Sequence, residues 1–401
     1  MFIFLSKLSI IVYLIYYMWY QEIWGASTII LYLTSLLSIL FVLLDIFSTK
    51  KVPIKEMNGF IKMYFLFGIY AFLSGFFVCI DKNIFLNSCF RYFSFVFLLY
   101  SIWYACYKSK NISWLINTIF ISSLMCAFTA LFFGKGYQVE VLVKTMSPIN
   151  NPNTLGLTMI MGIFTVVLNL KKKQKYFIIN YFLLILFLLV IIMSGSRKSL
   201  FAGIALIILG IIDFLSSNSK IKGKITKKKL TIYLIIIISA CLAYFYVINN
   251  YINSSSFIRL QKLFSDGGTS VRLELYRLAI EYWKTSPLFG IGLDQYKILC
   301  PYGFFSHSTY AELLSCTGIF GITIFFYPVI SLILKLLKAF YIKKKISYTS
   351  KIVLLMILIE LFIGVGQVFT FSFEHLLILF CISYLGEREL KKTNERIELW
   401  I

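Results

Sequence analysis

Apolar residues run along this chain in blocks of about twenty, each closed by lysines or by a small polar cluster. The blocks fall at about 8–23, 27–47, 59–79, 90–107, 111–133, 152–170, 176–193, 199–215, 230–248, 307–334, 351–370 and 374–386. A bilayer crossing needs roughly 20 apolar residues. The pattern therefore predicts an all-α, polytopic transmembrane bundle of about 12 spans. No polar stretch is long enough for a separate soluble domain, so residues 1–401 read as a single integral membrane domain. One long connection, 249–305, lies outside the spans, and its periodicity has its own order. "SDGGTS" (265–270) is a turn with Thr269 or Ser270 as candidate helix N-cap. "VRLELYRLAIEYWK" (271–284) then places Val271, Leu275, Leu278, Ala279 and Tyr282 on one face. "SPLFGIG" (286–292) ends it with Pro287, Gly290 and Gly292. An amphipathic helix at the membrane surface and a tight glycine turn are expected here.

Charge adds direction. The net charge of +22 invites a nucleic-acid reading, but its placement excludes one. Of 39 Lys and Arg, 27 fall in alternate loops, including "KKKQK" (171–175), "KIKGKITKKK" (220–229) and the tail from Arg388. The positive-inside rule makes those loops cytoplasmic and puts both termini inside. The cytoplasmic set has 25 Lys and 2 Arg; the outer set has 7 Lys and 5 Arg, namely Arg91, Arg197, Arg259, Arg272 and Arg277. Lysine suffices for topology, whereas the planar fork of arginine grips phosphate in two places. The outer face is where an anionic ligand is expected. The eight cysteines are scattered in apolar runs without ligand spacing, and a Cys79–Cys89 bridge stays open.

Candidate residues follow. Arg277 has Glu274 and Glu281 at helical spacing, so an ordinary ion pair competes with a ligand role. Arg272 has no local acid and is the better ligand contact. "SGSR" (194–197) is a small turn that delivers Arg197 to the start of a span. "SPINNPNTLG" (147–156) offers Asn151 as a cap, Pro152 as first helical residue and Asn153 as a further contact. Such helix starts favour anions. His307 sits in "SHSTY" at the mouth of a span, with the small Ser308 and Thr309 beside it. His375, beside Glu374, reads as a capping or interfacial histidine, and Glu360 inside an apolar run has no evident partner.

These pieces, in this order, resemble the O-antigen ligase/polymerase family of Wzy- and WaaL-type membrane glycosyltransferases. That family shows an outward Ser-Arg turn, a long outer loop with an essential arginine, a Pro-Leu-x-Gly-x-Gly element and a closing histidine motif. Here the closing motif is His307-Ser308, nine residues, Gly318, two residues, then Gly321. The resemblance covers about 147–325, and departs where a common leucine is Phe201. It implies a GT-C-like helical fold and transfer of a glycan from undecaprenyl pyrophosphate to a sugar hydroxyl, without metal, nucleotide sugar or other cofactor. Arg197, Arg272, Arg277, Asn153 and Ser308 would hold pyrophosphate or glycan, with Arg272 also stabilising the leaving phosphate. His307 would take the acceptor proton; an imidazole with the usual pKa of about 6.5 is mostly neutral at pH 7.

The resulting expectation is a capsule- or O-antigen-type polysaccharide polymerase in a bacterial plasma membrane. Its partners would be the lipid-linked oligosaccharide, membrane lipid, and a chain-length regulator and flippase. Heavy use of Lys, Ile, Asn, Phe and Tyr fits an A/T-rich genome and a host without a lipid A core, which favours polymerase over ligase. A flippase is the rival of a different class. It needs polar groups along a path through the bilayer, and mid-span charges here are few: Asp45, Asp213 and Glu360.

Overall fold

The computed structural model describes residues 1–21, 28–50, 53–133, 152–170, 177–217, 270–343, 346–369 and 372–398. Its helices are α1 Phe2–Ile15, continued by a π-helical turn Tyr16–Gln21, α2 Thr28–Thr49, α3 Gly59–Phe76, α4 Lys82–Ser109 and α5 Ser113–Phe133. Then come α6 Pro152–Leu170, α7 Phe177–Ser194, α8 Arg197–Ser217, α9 Ser270–Thr285, α10 Gln295–Leu299, α11 Thr309–Lys343, α12 Tyr348–Gly364 and α13 Phe373–Glu398. No strand occurs among the described residues. Helices occupy eleven of the twelve expected segments. The segment 230–248, the basic run 220–229, Arg259, Asn151 and the loop residues 249–269 lie outside the described residues.

Among the described residues, seven helices are long and apolar enough to cross a membrane. Their outer faces are apolar too, with Phe47 73% and Phe132 75% exposed. A water-soluble monomer does not present such surfaces, so the chain is an integral membrane protein.

The chain divides into two compact units. The second comprises residues 11–32 and 112–267. In it α6 is the central helix, packed by α5, α7 and α8. Small residues set the close approach: Gly162 lies under the Phe187 ring, and Gly203 meets Ile163 and Ile191.

The first unit comprises residues 1–10, 33–111 and 268–401. Its core is an aromatic ladder in which Phe325 of α11 sits 4.9 Å from Tyr64 and 5.2 Å from Phe67 of α3. Phe67 in turn meets Tyr92 of α4 at 5.3 Å. Hydrogen bonds define the two ends of this unit. At one end Gly59 N–H donates to Glu387 (3.2 Å) and the Tyr384 hydroxyl to the Cys106 carbonyl (3.5 Å). That joins the α3 start, the α4 end and the C-terminal part of α13. At the other end the backbone N–H groups of Ile80 and Asp81 donate to Gln295 Oε1, each at 2.9 Å. That joins the α3–α4 turn to the segment before α11.

Candidate functional site

The motif residues of unit 1 gather where α11 begins. This helix of 35 residues is broken at Gly318, where φ is 66° and ψ −170°. A break frees backbone groups that the next turn would have used. Here "PLFGIG" supplies their partners. Ile291 and Gly292 N–H donate to the Ser315 and Cys316 carbonyls at 3.0 and 2.9 Å. Ile319 and Phe320 N–H donate to the Pro287 and Leu288 carbonyls at 3.0 and 3.4 Å. The two motifs are thus halves of one backbone joint. Neither glycine in its middle admits a side chain. A Cβ on Gly290 would lie 2.3 Å from the Cys316 backbone, and one on Gly318 would lie 2.3 Å from the Leu288 oxygen. The Tyr70 hydroxyl of α3 closes the joint, 2.8 Å from the Thr317 carbonyl and 3.1 Å from that of Leu288.

The histidine turn is fixed on both sides. Ser308 is buried, and its hydroxyl accepts from Ala311 N–H at 3.5 Å as the helix cap. Ser306 N–H donates to the buried carboxylate of Glu312 at 2.8 Å, and Ser306 Oγ donates to the Ser308 carbonyl at 2.9 Å. Thr309 Oγ1 donates to the Gln367 carbonyl at 2.6 Å and accepts from Phe369 N–H at 3.0 Å. His307 is the exposed residue of this turn, held at φ 57°. A left-handed conformation costs a non-glycine residue about 1–2 kcal/mol, so the surrounding bonds, not local preference, set its direction. Its ring faces Phe304, with centroids 6.4 Å apart.

The helix expected at 271–284 forms, with its apolar face buried. Leu275 and Ala279 of α9 are buried with Ile291, Tyr296, Cys300 and Cys316, and Leu278 and Tyr282 pack against them. The Tyr296 hydroxyl donates to the Leu275 carbonyl at 2.7 Å. Burial, with Cys300 alongside, pushes that hydroxyl above its ordinary pKa and keeps it a neutral donor. Arg277 is exposed and pairs with Glu281 at 3.2 Å. Arg272 is exposed, with no ion pair among the described residues. One turn on, the Tyr276 hydroxyl donates to the Val365 carbonyl at 2.8 Å. The 365–369 loop is therefore held by α9 through Tyr276 and by the histidine turn through Thr309.

Two further polar residues stand close to this site: Gln295, which the sequence did not single out, and Asp294, which it offered only as a substitute base. Asp294, at φ 64°, accepts from Ser88 Oγ at 2.7 Å and lies 3.6 Å from the Arg91 guanidinium. Gln295 is buried and pins the α3–α4 turn. Their only sequence signal is a polar pair directly after the glycine turn. His375 is a correction. It is fully buried rather than interfacial, its Nδ1 lies 2.7 Å from Glu360 Oε2, and Phe369 stacks on it at 4.1 Å. Glu360 thereby gains its partner. Asp45 has partners as well, the Tyr104 hydroxyl at 2.8 Å and Lys108 at 3.4 Å. Cys79 and Cys89 are free thiols, so the bridge left open by the sequence is not formed.

Unit 2 holds the other expected residues. Arg197 is the first residue of α8 and half-buried. The preceding turn has Gly195 at φ 68°, and Ser194 Oγ accepts from Ser196 N–H at 3.2 Å. Ser196 Oγ donates to Asn153 Oδ1 at 3.2 Å. The Ser-Arg turn and the Pro152 helix start, separate in sequence, are thus neighbours. Among the described residues no group of three or more His, Cys, Asp or Glu side chains is arranged to hold a metal ion.

Residues 182–326 match the O-antigen ligase family. No curated protein matches the chain. The matched segment contains Arg197, α9 with its two arginines, the glycine joint and His307. Motif order, the joint that makes two motifs one structure, and this match agree: over residues 182–326 the chain is similar to the O-antigen ligase family.

Proposed function

We propose that this protein is a polysaccharide polymerase that joins undecaprenyl-pyrophosphate-linked repeat units on the outer face of a bacterial plasma membrane. The observation that carries the reading is the exposed His307, aimed by a buried network at the mouth of α11 within the family segment. The reaction is an inverting glycosyl transfer without metal. The acceptor hydroxyl oxygen attacks the anomeric carbon of the donor and its proton passes to His307. The bond from that carbon to the pyrophosphate oxygen breaks, and the lipid pyrophosphate leaves with the bonding electron pair. A positioned base contributes about 10²–10⁴ in rate. Arg272 is the proposed stabiliser of charge on the departing phosphate. Arg197, Arg277, Asn153 and Ser308 are proposed contacts of the pyrophosphate or glycan. The full bundle has about 12 spans in a GT-C-like arrangement, one integral domain, 249–305 outside and both termini in the cytoplasm.

Replacing His307 tests this. His307→Ala in cells should leave inserted protein at normal abundance while long polymer disappears and lipid-linked single repeats accumulate. Polymer at the wild-type rate and protein level would remove His307 from the chemistry, and Asp294 and Glu312 would be next. A ligase that hands the chain to a different acceptor is the second reading, favoured by the description of the matched family. The acceptor found at the reducing end of the product separates the two.

A further inference from the structure

The end of unit 1 remote from His307 holds a pocket of about 770 Å³. It lies between the end of α4, the approach to α3 and the C-terminal part of α13. Its charge is one-sided. Lys108, Lys110, Arg388, Lys391 and Lys392 line it, against Glu56 and Glu387. Two of these five cations have carboxylates of their own: Lys108 lies 3.4 Å from Asp45, and Lys392 lies 2.7 Å from Glu389. Lys110, Arg388 and Lys391 form no ion pair among the described residues. Glu387 also accepts from Gly59 N–H at 3.2 Å. The lining therefore carries five cations against two carboxylates, with Lys391 sharing the field of Glu387 and Arg388 that of Glu389.

The rest of the wall is aromatic. Trp103 and Tyr107 stack with centroids 5.3 Å apart, and Tyr384 faces the same space. Such rings suit the membrane–water boundary, where an apolar body meets a polar tip. The cavity exceeds the size of a bare phosphate and suits a headgroup with its glycerol. A guanidinium clasps phosphate oxygens in pairs, and ammonium groups add charge. Basic pockets between spans are suited to anionic lipid headgroups in this way.

We propose that this pocket binds the phosphate of an anionic glycerophospholipid, held by Arg388, Lys391 and Lys110 with the glycerol region against Trp103 and Tyr107. The site is separate from the transfer chemistry and does not rest on it.

The test uses the purified full-length chain in neutral detergent. Phosphatidylglycerol, phosphatidylcholine or soluble glycerol phosphate is added, with native mass spectrometry and thermal unfolding as readouts. Phosphatidylglycerol should stay bound as a one-to-one adduct and raise Tm, while phosphatidylcholine does neither. Arg388→Gln combined with Lys391→Gln should weaken phosphatidylglycerol binding roughly tenfold or more. Both residues are exposed, so Tm in plain detergent should hold. Lys284→Gln combined with Lys338→Gln removes the same charge elsewhere and should leave the affinity unchanged. Equal retention of the two lipids, or wild-type binding by the Arg388/Lys391 variant, overturns the site. The same Tm rise with soluble glycerol phosphate, lost in that variant, overturns the lipid as the source of the phosphate.

Discussion

Few side chains tolerate a φ of 57°, and asparagine tolerates it better than alanine. His307→Asn therefore removes the imidazole at less cost to the turn than His307→Ala. The asparagine variant should keep wild-type Tm and lose transfer activity by about 10²-fold or more; activity retained in it would mean that the turn, not the ring, matters. The arginines of α9 separate in the same manner. Arg272→Lys should lower product formation strongly, because an ammonium cannot copy the paired donors. Arg277→Lys should be mild, because its pairing with Glu281 survives. Equal small losses would take the phosphate role from Arg272. His307 and both arginines were legible in the sequence because their neighbours form ordered motifs. The Glu360–His375 contact was not, since only folding brings those residues together. His375→Ala would strand a buried carboxylate and should cost about 3–5 kcal/mol, read as a fall in Tm.

Helices were the most legible elements, and the failures have physical reasons. The apolar face of α9 came directly from its spacing, and Leu275→Ala should weaken its docking by about 2–5 kcal/mol. The start of α4 was placed eight residues late, at 90 rather than 82. Lys82 and Asn83 dilute the hydropathy there, while the Asp81 cap, which accepts from Ile84 N–H at 3.0 Å, starts the helix regardless. α13 runs past its apolar segment as a polar helix to Glu398, which a hydropathy window cannot follow. The break in α11 was invisible because Gly318 sits in an otherwise helical pattern, and only Leu288 packed against it shows why it is glycine. Gly290 and Gly318 belong to one joint, so Gly290→Ala and Gly318→Ala should each destabilise by at least about 1 kcal/mol. The double variant should lose less than the sum of the two. Full additivity in unfolding measurements would show two separate turns.

At the scale of the whole chain, the alternation of lysine-rich loops gave a sidedness that labelling can check. In a background without the eight native cysteines, a membrane-impermeant maleimide on intact cells should modify a cysteine at Lys284 and spare one at Lys338. The reverse pattern would invert the topology and remove the proposed chemistry from the outer face. The grouping into two compact units had no signal in the sequence, because both are built from the same kind of apolar helix. α4 adds a consequence for the whole protein. At 28 residues and a rise of about 1.5 Å each, it is about 42 Å long, against a hydrocarbon layer of about 30 Å. It is fastened at its start through Asp294 and Gln295, and at its end through the carbonyl of Cys106. A strut pinned at both ends cannot slide to follow its surroundings; it can only lean. The thickness of the host bilayer thereby becomes a setting on the protein. Turnover in nanodiscs of short, intermediate and long acyl chains should peak at the intermediate length, and a flat response would show that the strut is free to slip.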